Sequence, residues 1–371
     1  MSETRPLRPD DIEAVAGLFQ RVFRDRGTPP PASLATYLKD LYIDAPGNDP
    51  EIPSLVYVGD DGVISGFVGG NALPMTFNGT KLRAGVCGSL MVDGHETDPL
   101  AGARLLKAFV SGPQDISFSE TASETSVAMF TRLRGVVMTN YSLDWLRIIR
   151  PGAFALQVGS ERIRPLRMFS PVVQRADRML LGRMGADELR WSGIPSARTP
   201  RGGFSVAEID TQAFIPLMDK FTAHFAVRPD WAPGQLEHIL SDAARKSDYG
   251  PMTLAQVTAR TGTPVGAFVY HFKPGGIARV LQILAMPGQE GSVIDALIDH
   301  AAAAGASALR GRTQPALMDA MLGRRISFTH LASSAIRAKD PAIVAAFREG
   351  KGFFNGLAGE HWSRLIGDRF D

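Results

Sequence analysis

One pattern of apolar and polar positions runs along this chain twice. Near the start, "RPLRPDDIEAVAGLFQRVF" begins as a short strand and meets Asp at a helix start. It then sets Ile12, Val15, Leu18, Phe19 and Phe23 at helical spacing. From residue 204, "FSVAEIDTQAFIPLMDKFTAHF" repeats the device: a strand, Asp210 as cap, then Phe214, Leu217, Met218 and Phe221 on one face. Each opening leads into two strand patterns around a tight turn. The turn is Asp-Gly in "SLVYVGDDGVISGFVGG" and Thr261-Gly262 in "TLAQVTARTGTPVGAFVYH". Apolar strands follow, "AGVCGSLMVDG" and "ARVLQILAMPG", each running into a helix, "DPLAGARLLKAFVSG" and "EGSVIDALIDHAAAAG". A short strand ("DISFSE", "ALRGR"), a second helix ("TSVAMFTRLRG", "PALMDAMLGRR") and a final strand ("VVMTNYSLDWL", "ISFTHLASSAI") close both copies. The same elements in the same order mark a tandem repeat.

The repeat predicts two domains of ordinary size in 371 residues, one over 1–150 and one over 203–371. Between them, 151–202 reads as a connector. Its "SPVVQRADRMLLGRMG" is amphipathic and helical, and its "SGIPSARTPRGG" is a Pro/Gly/Ser-rich linker, with the boundary near Ser192–Gly202.

Composition narrows the function classes. The chain is 44% hydrophobic and 21% charged, as a globular protein is, and its net charge of +2 predicts no nucleic-acid partner. The polar start "MSETRPLRPDD" is unlike a secretory leader, and no apolar run reaches membrane-spanning length. The expectation is a soluble, cytoplasmic protein. The single cysteine, Cys87, excludes an internal disulfide framework and a cysteine-cluster metal site, and in its apolar strand it reads as an inert buried thiol. In "AGEHW", Glu360, His361 and Trp362 stand together. No Cys or further His lies at ligand spacing, so no metal is expected.

The order of elements in each half resembles the GNAT superfamily of acyl-CoA-dependent N-acyltransferases, and "LRPDDIEAVAGLFQRVF" is similar to that superfamily's first strand and helix. The resemblance implies an α/β (α+β) chain of two tandem GNAT-like domains. Each would be a mixed, mostly antiparallel sheet flanked by helices. It also implies acetyl-CoA or another acyl-CoA as co-substrate and a small-molecule amine as acceptor. In that superfamily the fourth strand and the following helix hold the donor. Here these are "SLMVDG" and "HETDPLAGARLLKAF", so the resemblance points to Leu90, Met91 and Val92, to His95 in the turn, and to Ala101, Gly102, Ala103 and Arg104. A physical reason stands beside the resemblance. A helix N-terminus carries free N–H groups and partial positive charge, and small side chains let a pyrophosphate reach them. Asp98 and Pro99 read as N-cap and first helical position. The superfamily's motif is altered, however: Asp98 stands for its Gln or Arg, and Ala101 for its first Gly. The second copy, "MPGQEGSVIDALIDHA", has Glu290 and no basic residue at its helix start, so the first copy is expected to bind the donor.

Acyl transfer to an amine needs a group to take the amine's proton and donors for the carbonyl oxygen. Main-chain N–H groups around Leu90 to Val92 are expected to polarise the carbonyl. The superfamily often uses a Tyr in the helix after its fifth strand as acid, but Phe130 falls there. Arg134 takes the place of a Gly, and Ser123 that of an Asn. The candidates that remain are Glu120 in "SFSETASET" as proton acceptor, with Glu124 close by, and Tyr141 in "TNYSLDWL" as acid. Tyr270 and His271 in "GAFVYHF" are candidates for an acceptor pocket, against ordinary strand packing. Two other readings stay open: a non-catalytic ligand-binding or scaffold descendant of the fold, and an aminoacyl-tRNA-dependent transferase, which would need a basic groove.

Overall fold

The computed structural model describes residues 2–94, 98–162, 177, 179 and 203–370. His95, the linker near Ser192–Gly202 and the connector helix, apart from Asp177 and Met179, lie outside the described residues.

In chain order the first copy runs β1 (Glu3–Pro6), α1 (Ile12–Phe19), α2 (Ala32–Lys39), β2 (Leu55–Val58), β3 (Ile64–Phe77), β4 (Thr80–Val92), α3 (Ala101–Val110), β5 (Ile116–Ala122), α4 (Glu124–Arg132), β6 (Val136–Val137) and β7 (Leu143–Ile148). After α5 (Pro151–Arg162) the second runs β8 (Phe204–Glu208), α6 (Thr211–Thr222), β9 (Val227–Pro229), α7 (Gln235–Ala244), β10 (Met252–Ala259), β11 (Pro264–His271), β12 (Ile277–Ala285), α8 (Glu290–Ala304), β13 (Ala308–Arg312), α9 (Pro315–Leu322), β14 (Ser327–His330), β15 (Ser333–Ala338) and α10 (Pro341–Arg348). Among the described residues no helix is long and apolar enough to cross a membrane.

The periodicity places the helices well. In α1, Ile12, Val15, Leu18 and Phe19 are buried, whereas Phe23 lies beyond the helix and is 42% exposed. Asp210 caps α6 by accepting the Ala213 N–H at 2.8 Å, and Phe214, Leu217, Met218 and Phe221 are all buried. Gly62 and Gly262 hold positive φ in the two hairpin turns, which only glycine adopts without cost.

Two sheets form. The first has the order β1-β2-β3-β4-β5-β15-β6, with β9 beside β3; the second has the order β14-β7-β13-β12-β11-β10-β8. Every neighbouring pair is antiparallel except β4–β5 in the first sheet and β12–β13 in the second. The chain is thus α+β with two mixed, mostly antiparallel sheets.

The closing strands depart from the sequence reading. "VVMTNYSLDWL" is not one strand. β6 and β7 are separated by a 3-10 turn over Thr139–Tyr141 and join different sheets. "ISFTHLASSAI" splits likewise into β14 and β15. Consequently β15, from the second copy, pairs with β5 and β6 of the first, and β7 fills the matching place between β13 and β14. The compact units therefore differ from the contiguous halves expected at 1–150 and 203–371. One comprises 1–142, 225–241 and 332–371; the other comprises 143–224 and 242–331. In the first unit, Leu105, Leu106 and Phe109 of α3 pack with Tyr57, Val68 and Cys87 of the sheet and with Ala335 of β15. In the second, Val293, Ile294 and Leu297 of α8 pack with Phe268, Ile283 and Trp145.

Candidate active site

The site begins where two strands part. β4 and β5 run parallel for three residue pairs, Ala84–Ile116, Gly85–Ser117 and Val86–Phe118, and the ladder ends there. The cause is visible on β4. Gly88 pairs with Gly69 and Met91 with Phe67, so Ser89 and Leu90 together oppose one residue of β3. This is a bulge, with Ser89 at φ 50° and its hydroxyl accepting from Tyr42 at 3.1 Å. A bulge bends its strand and re-aims the backbone groups beyond it. Leu90, Met91 and Val92 lie on that re-aimed stretch. Met91 and Val92 pair with β3, and the edge away from β3 continues unladdered past Val86.

The splay between the strands is wedged by the C-terminal segment. Glu360 reaches between them. Its carboxyl accepts the Glu120 N–H at 2.7 Å, the Thr121 hydroxyl at 3.3 Å and the Ser119 hydroxyl at 3.5 Å. On the β4 side a Cβ at Gly88 would stand 2.8 Å from the Glu360 carboxyl, so any side chain there would have to displace it. Glu120 answers in kind. Its carboxylate accepts N–H groups from Gly356 (3.1 Å), Glu360 (2.6 Å) and His361 (3.2 Å), and His361 Nδ1 lies 2.7 Å from its Oε1. Burial, and then the negative charge of Glu120, push the Glu360 carboxyl up to about 7.

Of these three groups, Glu120 is wholly enclosed (0% exposed), while the His361 side chain is 28% exposed. A carboxylate set against Nδ1 fixes a histidine's orientation and stabilises its protonated form, and Nε2 is then the nitrogen through which it takes a proton. Glu120, the expected proton acceptor, is wholly enclosed and has the more exposed His361 against its carboxylate. In sequence, Glu360 and His361 stand out only as neighbours without further metal ligands at the right spacing.

The other candidate acid sits elsewhere in packing terms. Tyr141 lies in the 3-10 turn, not in a strand, and is 1% exposed. Its hydroxyl donates to the Gly352 carbonyl at 2.7 Å, and its ring lies among Phe347 and Phe354. Burial raises its proton affinity. Phe130 is buried in the core, Ser123 caps α4 through the Ser126 N–H at 3.3 Å, and Glu124 is exposed in that first turn. Burial likewise pushes the Cys87 thiol up. In the second unit, Tyr270 meets His300 of α8 at 2.9 Å and His271 meets the Ala243 carbonyl of α7 at 2.9 Å, so both strand side chains are spent on the helices packed against them.

The start of α3 differs from the sequence reading. The helix begins at Ala101, and Leu100, not Asp98, stands at the N-cap position. Asp98 accepts the Leu100 N–H at 3.1 Å through one oxygen. Through the other it accepts from the Tyr57 hydroxyl and from Arg104 at 2.8 Å; Arg104 also donates to the Tyr57 oxygen at 2.6 Å. The Tyr57 hydrogen bond, helped by Arg104, holds the Asp98 carboxyl below the usual carboxylate range. Ala101 is buried in the core. Gly102 and Ala103 are half-buried, and their N–H groups belong to the first turn, which has no helical carbonyl to meet. A Cβ at Gly102 would find Val92 Cγ2 at 3.5 Å and Met129 at 3.8 Å, so small side chains leave room between β4 and α4. The Asp98–Arg104 pair ties the local cation to a carboxylate at the surface.

The second unit offers no such room. Gln314 accepts the Ile283 N–H of β12 at 3.3 Å. Glu290 accepts the Gly288 N–H at 3.0 Å, and Arg324, held by Asp295 at 2.8 Å, packs against Gly291.

No protein-family model matches this sequence, and no curated protein matches it. Solved structures do. A GCN5-related N-acetyltransferase (GNAT) from Anabaena variabilis superposes with a TM-score of 0.60 at 9% identity, over 92% of this chain and 74% of that one. A conserved protein from Enterococcus faecalis V583, named a "Probable N-Acyltransferase", gives 0.58 at 10% identity, over 91% and 73%. A GCN5-related N-acetyltransferase from Kribbella flavida gives 0.55 at 12% identity, over 93% and 73%.

Proposed function

Because the chain folds as tandem GNAT proteins do, we propose that it is an acyl-CoA-dependent N-acyltransferase whose reaction runs in the unit built around the β4–β5 splay. The observation that carries this reading is the Glu120–His361–Glu360 cluster lodged in the splay. A structural wedge needs no histidine backed by a buried carboxylate.

The donor supplies an activated thioester carbonyl. The chain's own residues do the rest. The unladdered edge of β4 over Leu90, Met91 and Val92 offers main-chain N–H from alternate residues to the carbonyl oxygen, where negative charge develops as the amine nitrogen attacks. His361 takes the amine's proton through Nε2, and Glu120 stabilises the imidazolium. Glu360, protonated near neutral pH, gives its proton to the departing sulfur as the carbon–sulfur bond breaks. Ala101, Gly102 and Ala103 open the start of α3 to the pyrophosphate, with Arg104 beside it; His95, a few residues earlier in the sequence, is the further candidate. The acceptor is a small amine. Tyr141 remains a weaker choice as acid, since its proton already serves the Gly352 carbonyl.

The Asp98–Arg104 pair favours a second reading, a descendant that binds acyl-CoA without turnover. One experiment separates the two. Thermal unfolding is measured with acetyl-CoA, palmitoyl-CoA and free CoA, and thiol release is followed with a panel of amines. A ligand at a hundred times its dissociation constant adds about 2.7 kcal/mol. Stabilisation with thiol release supports the enzyme, stabilisation alone supports the binder, and no response to any CoA defeats both.

A further inference from the structure

At the other end of β5, away from the splay, four cations gather around a cavity. Ala338 of β15 pairs with Ile116, the first residue of β5. Beside it Arg134, Arg337, Lys339 and Arg348 line an opening of about 570 Å³ whose apolar floor includes Val136 and Val344. Glu120 lies about 13 Å farther along the strand at ~3.3 Å per residue. The cavity is therefore not part of the site described above.

Its charge is uncompensated. Arg337 donates through Nε to the Leu133 carbonyl at 3.1 Å and through Nη1 to the Val110 carbonyl; Lys339 donates to the Pro113 carbonyl at 2.6 Å. A carbonyl fixes the direction of a cation without cancelling its charge. Arg134 and Arg348 carry no ion pair among the described residues, and no carboxylate lines the cavity. The nearby acids Asp115, Asp340 and Glu349 lie outside the lining. Asp340 accepts the Ala342 N–H at 2.8 Å to cap α10, and Glu349 pairs with Lys351 at 2.8 Å. Arg134 is moreover held at φ 64°, a left-handed backbone that glycine would occupy without strain. Four like charges on one wall repel each other until an anion arrives.

We propose that this cavity binds a small ligand carrying two or more phosphoryl groups. The guanidinium groups of Arg134, Arg337 and Arg348, with Lys339, hold the phosphates, and the apolar floor takes the organic part. Arginine forks match phosphate oxygens in geometry, and four cations call for several negative charges in a small volume. The cations converge on a cavity of small-molecule size instead of forming a stripe, which favours a compact anion over an acidic peptide.

The test is thermal unfolding of the full chain in millimolar pyrophosphate, against KCl of equal ionic strength. The expected result is a rise in Tm of about 5 °C at saturation. Arg348→Glu should remove the rise. Arg134→Gly should shrink it several-fold while raising Tm without ligand, because the backbone strain is relieved, so this variant reads the site in a protein that folds. Any response to CoA should be unchanged in both variants. The pyrophosphate arm stands whether or not CoA binds, which keeps this inference separate from the proposed activity. No rise beyond KCl, or equal rises in wild type and variants, overturns it. So does a larger rise with an oligoglutamate peptide, or joint loss of the pyrophosphate and CoA responses.

Discussion

Glu120 and Glu360 share one enclosure yet hold their charges differently. Glu120 has three backbone N–H groups and His361 around its carboxylate, which is compensation enough for a buried anion. Glu360 is driven up from the ordinary 4.5 to about 7 first by burial and then by the negative charge of Glu120, against the Glu120 N–H bond that favours its charged form. The folded chain therefore holds a proton that the unfolded chain releases. The stability this supplies is full below about pH 4.5 and is lost as pH climbs through about 7. The difference corresponds to roughly 3 kcal/mol. Glu360→Gln keeps an acceptor for the Glu120 N–H but cannot titrate. Its Tm should fall less than that of the wild type between about pH 5 and about pH 8, and parallel curves would refute the assignment. Next to it, His361→Asn should lower kcat by about 10²–10⁴ with the fold intact; unchanged turnover would remove His361 from the reaction. Sequence reasoning reached Glu120 because it follows an apolar strand in a polar run. It could not reach the partners, which lie about 240 positions on and touch Glu120 only after the chain has returned to β5.

At the scale of elements, the local signals were the legible ones. Alternation and Gly-containing turns located both hairpins, and helical spacing located α1, α3 and α6, because those signals come from neighbours in sequence. The start of α3 lies two residues beyond the sequence reading, since the Asp98 carboxylate is shared with Tyr57, a partner far away in sequence. The closing strands were misjudged because alternation reports that a segment is extended and not which sheet receives it. The α3 start still yields a sharp prediction. The space at Gly102 accommodates a side chain at ordinary contact distance, so Gly102→Glu should fold. Its carboxylate would then stand at the helix mouth between Val92 and Met129 and repel phosphate. Any CoA-induced rise in Tm should vanish in this variant while its Tm without ligand stays within a few degrees. A variant that still responds to CoA would show that the small residues serve packing alone.

At the scale of the molecule, the exchange of closing strands makes neither sequence half self-sufficient. Residues 1–150 contain β1 to β5 yet lack β15, which covers the free edge of β5 through Ser333, Ala335, Ile336, Arg337 and Ala338. Without it, Phe118 and its neighbours on β5 lose Ile336 and Ala335 from the buried face, and Phe118 also loses its ring contacts with Phe347 and Phe354. Each such side chain contributes about 1.5–3 kcal/mol by burial. The fragment also lacks Gly356, Glu360 and His361, so Glu120 loses every donor described for it. The same deletion uncovers Glu120 to water. Whole domains are stable by only about 5–15 kcal/mol, and losing several such buried side chains takes a large part of that margin. Residues 1–150 expressed alone should show no cooperative thermal transition by circular dichroism, and co-expression with 203–371 should restore one. A fragment that melts cooperatively by itself would mean that β6 can close the sheet without β15, and that the exchanged strand is an ornament of the fold and not a condition of it.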